Sequence, residues 1–346
     1  MMGCSGKICV TGANSFIGAY CVAELLKNGY QVVGTVRSSE KASLLEGVHG
    51  HNPNLSVAIV PDITATGAFD EALKGCTGVL HLASPFGFSY NDFETELLRP
   101  SIRGTETICE SATATPTVKR VVVTSSFAAV YDASKGLCPG KVYTEEDWSP
   151  LTYEDGKNAP MAAVAYRASK KLAEEAAWKY VRKEKRTWEL VTLCPGMVFG
   201  SLFPGTLQSV KGLNASNQII WSLMDVNQVP ETRAPLWTSV KALARAHVAA
   251  LEAPGAAGER FLVINGNFDN QQLANAIHSS SHITDAVKSR VPIGSPGETL
   301  DGKVYTSDSS KAGNILGFKP CVPGEELADL VADLVLQVVG VEKETV

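Results

Sequence analysis

Tyr166 and Lys170 stand four residues apart in Tyr166-Arg167-Ala168-Ser169-Lys170, inside a helix-favouring stretch. At that spacing both side chains leave one face of a helix, a turn apart. An ammonium held beside a phenol stabilises the phenolate, so a tyrosine with a free pKa of about 10 can exchange a proton near neutrality. This equipment suits carbonyl chemistry, in which a proton must reach an oxygen as charge develops on it. A tyrosine followed four positions later by a lysine is also an ordinary exposed helix pair, so the reading depends on its company.

The first companion lies at the N-terminus. Lys7-Ile8-Cys9-Val10 is an apolar, strand-like run leading into Thr11-Gly12-Ala13-Asn14-Ser15-Phe16-Ile17-Gly18, after which helical periodicity continues to about Asn28-Gly29. A strand, a tight glycine turn and a helix in this order set backbone N–H groups and the positive end of a helix dipole against a pyrophosphate. Gly12 permits the turn and Gly18 permits close packing of helix on sheet. Ser15 stands where this kind of loop usually has its middle glycine, and it is small enough to keep the dinucleotide reading.

The second companion says which dinucleotide. The run Gln31-Val32-Val33-Gly34-Thr35-Val36 ends in Arg37, nineteen residues after Gly18, where NAD-binding sheets tend to carry an acid for the ribose 2′-hydroxyl. Arg37, with Lys41 one helical turn on, can instead bind a 2′-phosphate by charge-assisted hydrogen bonds. The expected cofactor is therefore NADPH, against the alternative that the two cations form a solvated edge.

The surrounding chain is large enough to position these groups. Its 346 residues are 45% hydrophobic and 19% charged, which suits a large α/β domain with a smaller appended one. A formal net charge of −5 argues against a nucleic-acid partner. There is no apolar run of about eighteen residues to span a membrane, and the first hydrophobic run is already strand-like rather than the core of a signal peptide. Met2-Gly3-Cys4 hints at lipidation, but Lys7 stands where that motif wants Ser or Thr. The eight cysteines lack the paired short spacings of zinc or redox sites and read as free thiols in a reducing, cytoplasmic compartment. His278 and His282 share helical spacing without a carboxylate partner, so no metal is expected.

Past Arg37 the pattern continues with Ser56 to Val60, Gly67 to Leu73, Gly78 to Ala83, a helical stretch from about Phe93 to Ala114, and the strand Arg120 to Ser126. Continuous runs such as Val121-Val122-Val123 are buried on both faces, as in a central parallel sheet. The alternation predicts a Rossmann-type, doubly wound parallel sheet. Residues 133–160 read as a polar surface connection, 163–184 as the helix of Tyr166 and Lys170, and Trp188 to Cys194 as a strand. Residues 1–198 are expected to be mainly the dinucleotide-binding domain and 199–346 mainly a smaller, interleaved substrate domain. There Leu236 to Ala250 and Gln271 to Ser279 look helical, and Phe261 to Ile264 looks like a strand returning to the sheet. A last helix from Gly324 to about Val339 carries Leu327, Leu330, Val331, Leu334 and Val338 on one face.

Thr11-Gly12…Gly18, the paired Ser125-Ser126 at the end of a Val-rich strand, and Tyr166…Lys170 together resemble the extended short-chain dehydrogenase/reductase family. Val36-Arg37-Ser38 with Lys41, Pro61-Asp62-Ile63, His81-Leu82-Ala83-Ser84-Pro85-Phe86, Val121 to Val130 and Ala176-Ala177-Trp178 look like its dihydroflavonol-reductase-like branch, including fungal NADPH-dependent carbonyl reductases. The likeness covers nearly the whole chain. It implies a Ser126, Tyr166, Lys170 triad, although strand alternation alone leaves Ser125 and Ser126 both open. It also implies that Asp62 and Ile63 lie near the adenine, Ala83 and Ser84 along the cofactor, Pro195 to Val198 beside the nicotinamide, and Ser216 near the phosphates. Trp237-Thr238-Ser239-Val240-Lys241 departs from an Asp-Val-Arg-Asp pattern of relatives, with an expected change in a structural hydrogen-bond set.

Candidate pocket walls are Phe86, Phe88, Phe127, Val130, Tyr131, Met197 and Trp221, an apolar set for a small hydrophobic carbonyl substrate. The expected activity is reduction of aldehydes and ketones to chiral alcohols by a monomer or homodimer. The alternatives are a dihydroflavonol or cinnamoyl-CoA type reductase, and a non-catalytic NADP-sensing regulator. The last has no need for all three of Ser126, Tyr166 and Lys170.

Overall fold

Strands and helices alternate from the start of the chain in the computed structural model, which describes residues 6–85 and 90–344. β1 (Lys7–Thr11) turns through Gly12 into α1 (Phe16–Lys27), followed by β2 (Gln31–Val36), α2 (Ser39–Val48) and β3 (Leu55–Ile59). β4 (Gly78–His81) precedes a π-helical turn at Glu94–Leu98 and α3 (Arg99–Ala114). Then come β5 (Arg120–Thr124), the short β6 (Val142–Tyr143), α4 (Tyr153–Lys157), the long α5 (Ala162–Lys183) and β7 (Glu189–Pro195). The remainder runs β8 (Met197–Phe199), α6 (Ala215–Trp221), β9 (Leu236–Ser239), α7 (Val240–Glu252), β10 (Arg260–Val263) and β11 (Gly266–Asn267). It ends with α8 (Asn270–Ser279), α9 (Asp285–Lys288), β12 (Thr306–Ser307), α10 (Ser310–Leu316) and α11 (Leu327–Glu344).

Seven parallel strands form the central sheet in the order β10-β7-β5-β4-β1-β2-β3. Successive side chains leave opposite faces of a strand, and both faces here are covered. Ile8, Val10, Val122 and Val263 join a core with α1 and α7, while Cys9, Val79, Val121 and Val123 join another with α3 and α5. That double burial is why these strands read as unbroken apolar runs, each large side chain contributing about 1.5–3 kcal/mol. Strand order reverses between β1 and β4, so a crevice opens at their C-terminal ends, where ligands bind in sheets of this kind.

The later elements build a separate core. A three-stranded sheet, β11-β9-β8, with α6, α8 and α11 encloses Phe199, Ile220, Leu273, Ile277, Leu330 and Leu334. β10 leaves this region to pair with β7 at the edge of the large sheet, so the two parts are interleaved. No helix among the described residues is long and apolar enough to cross a membrane.

Five segments depart from the periodicity reading. Leu236–Ser239 is strand rather than the start of a helix, because Trp237 pairs with Met197 on one side and Gly266 on the other; Ser239 then caps α7 by accepting from the Ala242 amide. Residues 67–73 form turns, too short to nucleate a helix. The helical stretch from Phe93 begins as a π turn and becomes regular only at Arg99, with Pro100 in the first turn of α3, where its missing N–H costs least. Residues 133–160 are not simply a surface connection: Tyr143 and Ser149 are buried, and β6 pairs with β12. The final helix starts at Leu327, after Gly324 adopts φ +77°.

Candidate active site

The glycine turn after β1 is built by close approach. Gly12 has φ +64°, where an L side chain is strained, and a Cβ there would meet the Ala83 backbone at 3.2 Å. A Cβ on Gly18 would lie 2.3 Å from the Gly12 carbonyl oxygen. Ser15, exposed, is the N-cap of α1 and accepts from the Gly18 amide at 3.1 Å. Its side chain thus does what a glycine could not, and the residue that departs from the common loop pattern stabilises the helix end. Ala13 is fully buried and its amide donates to the Thr35 carbonyl at 3.1 Å. The first-turn amides of Phe16 and Ile17 remain at the open end of the helix beside Asn14.

A hub missed in the sequence holds the other wall of this crevice. The Thr11 hydroxyl accepts from the Leu82 and Ala83 amides at 3.1 and 3.0 Å and lies 2.9 Å from His81 Nδ1. Burial, then the Lys170 charge, lowers the His81 pKa to about 3, so the imidazole is neutral and Nδ1 accepts the Thr11 proton. One hydroxyl, with its donor and both lone pairs used, fixes Leu82 and Ala83 beside the glycine turn.

At the end of β2, Arg37 and Lys41 are exposed, and neither has an ion-pair partner among the described residues. Ser38 caps α2 by accepting from the Lys41 amide, so a helix N-terminus opens at the same place. Asp62 is exposed and accepts from the Thr64 amide and hydroxyl at 2.8 and 2.7 Å, which hold its carboxyl below the usual range. Ile63 packs inward, against Gly104 of α3.

β5 and α5 bring the chemistry together. Ser125 and Ser126, just beyond β5, take different partners on α5. The Ser125 hydroxyl donates to the buried Glu174 carboxylate at 2.6 Å, whereas Ser126 hydrogen-bonds the Tyr166 phenol and caps the turn Phe127–Ala129 by accepting from the Ala128 amide. Of the two, Ser126 is the one beside the phenol. Lys170 Nζ reaches 3.4 Å from the Thr124 carbonyl oxygen, at the end of the same strand. Burial pushes the Tyr166 phenol up to about 12, partly offset by the Ser126 hydrogen bond, with the phenols of Tyr90 and Tyr131 adding to the rise. Burial likewise lowers Lys170 to about 8, with Cys194 and Glu174 opposing it. The phenol is therefore less acidic than a free tyrosine here, contrary to the expectation of a neighbour acidified near neutrality; removal from water sets the direction. Both side chains keep partial exposure to solvent.

The candidate walls divide. Phe127 and Tyr131 stack with centroids 5.3 Å apart, joined by Tyr143 and Tyr305 in an aromatic cluster in which Val130 is fully buried. Val130 accordingly packs core. Met197 is half-buried next to Ser216, whose hydroxyl accepts from the Val198 amide at 3.2 Å, just beyond Pro195 at the end of β7. Trp221 packs on the second core with Arg290 above its ring. Phe86 and Phe88 lie outside the described residues. At the departure of 237–241, Thr238 Oγ1 donates to the Val263 carbonyl and accepts from the Gly196 amide.

A dinucleotide crevice at the switch point of a parallel sheet, with a serine–tyrosine contact and a lysine one turn along, defines an extended short-chain reductase site. Residues 8–264 match the NAD dependent epimerase/dehydratase family, and the chain belongs to it. It is 36% identical over 328 residues to the NADPH-dependent methylglyoxal reductase GRE2 of Saccharomyces cerevisiae, covering 90% of this chain and 93% of that protein. The ketoreductase azaE of Aspergillus niger is 37% identical over 323 residues, covering 90% and 92%. The crystal structure of yeast methylglyoxal/isovaleraldehyde reductase Gre2 complexed with NADPH superposes with a TM-score of 0.90 at 33% identity, covering 97% of this chain and 99% of that one.

Proposed function

We propose that the protein is an NADPH-dependent carbonyl reductase, converting aldehydes and ketones to alcohols. The observation that carries this is the Ser126–Tyr166 hydrogen bond with Lys170 one turn on, beside the glycine turn. The turn suits the cofactor by its tightness: a Cβ at Gly12 would meet the Ala83 backbone and one at Gly18 the Gly12 carbonyl oxygen, so glycine keeps the turn closed and leaves the Phe16 and Ile17 amides at the open helix end for a pyrophosphate. Arg37 and Lys41, at the end of β2, are the candidates for the 2′-phosphate, and Lys170 for the nicotinamide ribose. Bound NADPH supplies the hydride. In this reading residues 1–198 carry most of the cofactor site, and residues 199–346 mainly complete the substrate side. Free, mostly buried thiols suit a cytoplasmic setting.

The residues divide the remaining work. Ser126 and Tyr166 both present hydroxyls, so a carbonyl oxygen placed between them takes two fixed donors as its charge grows. Tyr166 stays protonated throughout the physiological range because its pKa lies near 12, which is the state a proton donor to an alkoxide must start from. The Lys170 ammonium supports the charge that Tyr166 acquires. Phe127 and Tyr131 offer the apolar wall for a hydrophobic carbonyl compound.

The direct test is loss of NADPH absorbance with methylglyoxal, isovaleraldehyde, aryl ketones, β-ketoesters and a dihydroflavonol, in parallel with NADH. Turnover of simple carbonyls with strong NADPH preference is expected. Tight NADPH binding without turnover of any carbonyl would favour a sensor instead. In Arg37→Ala/Lys41→Ala the NADPH-over-NADH preference should fall by about 10- to 100-fold, since each hydrogen bond to a charged group contributes about 1.5–3 kcal/mol before solvent screening. An unchanged ratio would remove both residues from the 2′-phosphate.

The pH dependence has a definite sign. Lys170, with its pKa near 8, is protonated below that pH and neutral above it, whereas Tyr166 keeps its proton. Reduction should hold a plateau up to about pH 8 and decline above it in kcat/KM profiles, which report the free enzyme. Lys170→Arg, whose guanidinium does not deprotonate, should abolish that decline in whatever activity remains.

A further inference from the structure

Below the catalytic groups lies a buried carboxylate–guanidinium pair that the reduction itself does not use. The side chains of Glu174 and Arg260 are 0% and 7% exposed. Glu174 Oε1 accepts from Arg260 Nε at 2.8 Å, Thr192 Oγ1 at 2.7 Å and Trp178 Nε1 at 3.3 Å. Its Oε2 accepts from Ser125 Oγ at 2.6 Å and Arg260 Nη2 at 3.1 Å, with the Cys194 thiol at 3.6 Å. Arg260 Nη1 donates to the Glu145 and Asp147 carbonyls at 2.9 and 2.6 Å, and Nη2 reaches the Ala129 carbonyl at 3.4 Å. The Trp148 ring lies under the guanidinium, 3.8 Å from its centroid. A buried ion pair is a poor source of stability, because desolvation offsets the attraction and apolar residues often serve as well. What this pair does is connect.

Its connections bracket the active site. Glu174 lies one turn beyond Lys170 on α5, and through Ser125 it grips the residue next to Ser126. Arg260, arriving from the far edge strand, holds the carbonyl at the end of the Phe127–Ala129 turn that Ser126 caps; the Ser149 amide donates to the same carbonyl at 3.0 Å. We propose that the Glu174–Arg260 pair is a positioning device for the catalytic site: it fixes the turn that aims Ser126, and its carboxylate holds the charge of Lys170. This rests on the carbonyl-reductase reading of the triad.

The charge argument follows from the groups around Lys170. β5 offers the neutral Thr124 carbonyl, β4 the neutral His81, β7 the Cys194 thiol, which burial raises to about 12, and α5 the protonated Tyr166. Glu174 is the carboxylate that acts on Lys170 among the described residues. Glu174 in turn faces Arg260 from β10, Ser125 just beyond β5, Trp178 from α5, and Thr192 and Cys194 from β7.

The test uses the full-length protein in three forms: Ser125→Ala, Glu174→Gln, and Glu174→Gln/Arg260→Met, which removes both charges so that neither is left buried alone. Competitive acetylation with acetic anhydride across pH, read on the Lys170 peptide by mass spectrometry, reports the lysine's titration midpoint without requiring turnover. NADPH binding and a thermal melt identify folded variants. The Lys170 midpoint should fall by about one pH unit in the variants lacking Glu174, and the alkaline decline of kcat/KM should shift with it. In Ser125→Ala, kcat should fall by about tenfold with NADPH affinity kept, as expected for a displaced Ser126. A folded variant lacking Glu174 with an unmoved midpoint overturns the charge role. An unchanged kcat in Ser125→Ala overturns the turn-fixing role, including where the charge variants do not fold. Absence of carbonyl turnover in the parent protein would overturn the reductase reading instead, while the acetylation midpoints still decide the pair.

Discussion

Tyr166→Phe should bind NADPH within about threefold of the parent and lose turnover by about 10²- to 10⁴-fold, the range for a removed general acid. The substitution keeps the ring, and with it the packing at the C-terminal edge of the sheet, and removes only the hydroxyl. Ser126 loses its partner in the same step, but it still caps the Phe127–Ala129 turn through the Ala128 amide, so the fold has no reason to fail. The loss should therefore lie in kcat while affinity for cofactor persists. Measured by NADPH fluorescence titration beside initial rates, full activity in this variant would sink the proton-donor role.

The second large effect is steric. Gly18→Ala adds one methyl, and its carbon would stand 2.3 Å from the Gly12 carbonyl, 2.8 Å from Ser15 Oγ and 2.9 Å from the Ala13 carbonyl. Two of those neighbours are backbone, so relief requires opening the β1–α1 turn itself. Cofactor affinity should drop by about 100-fold, which corresponds to about 2.7 kcal/mol. The midpoint of thermal unfolding should fall as well, because the tight turn that joins β1 to α1 would have to open. A variant that keeps both affinity and melting temperature would mean that the turn has slack the structure does not display. By contrast Ser15→Gly should cost only a few tenths of a kcal/mol, since glycine is itself a tolerated N-cap.

The two substitutions probe features that differ in how far they could be read in advance. The parallel sheet was legible because its strands are buried on both faces, so Val121-Val122-Val123 and Lys7 to Val10 leave an unambiguous apolar signature. The glycine turn and the Tyr166–Lys170 spacing were legible for a similar reason: both are local, and local geometry is written in adjacent residues. What resisted was long-range. Leu236–Ser239 carries the composition of a helix start, and its partners Met197 and Gly266, 40 and 29 positions from Trp237, make it a strand. The hub of Thr11 with His81 and the pair of Glu174 with Arg260 join residues 70 and 86 positions apart. A single glutamate inside an amphipathic helix gives no sign that it is buried.

Charge states were the least legible of all. Spacing alone suggested that Lys170 acidifies Tyr166, yet the enclosing walls move the phenol up to about 12 and the ammonium down to about 8. Burial penalises the charged form of each group and so acts in opposite directions on an acid and a base. The outcome still serves the proposed reduction: a protonated phenol and, below pH 8, a protonated lysine are what a proton-donor site would require. Oxidation of an alcohol would need the phenolate instead and should therefore gain as pH rises. Of the two serines, Ser126 adjoins the phenol, while the Ser125 hydroxyl is committed to the buried carboxylate.

The central claim, hydride delivery to a carbonyl carbon with the proton coming from Tyr166, is tested most directly by isotope transfer. NADPH deuterated at the transferred position of its nicotinamide is supplied with an aldehyde or ketone that supports turnover, and the product alcohol is analysed by mass spectrometry and NMR. The account predicts one deuterium on the former carbonyl carbon in the parent enzyme, with the same product formed far more slowly by Tyr166→Phe. An alcohol without deuterium, or NADPH bound tightly and never consumed, would contradict it.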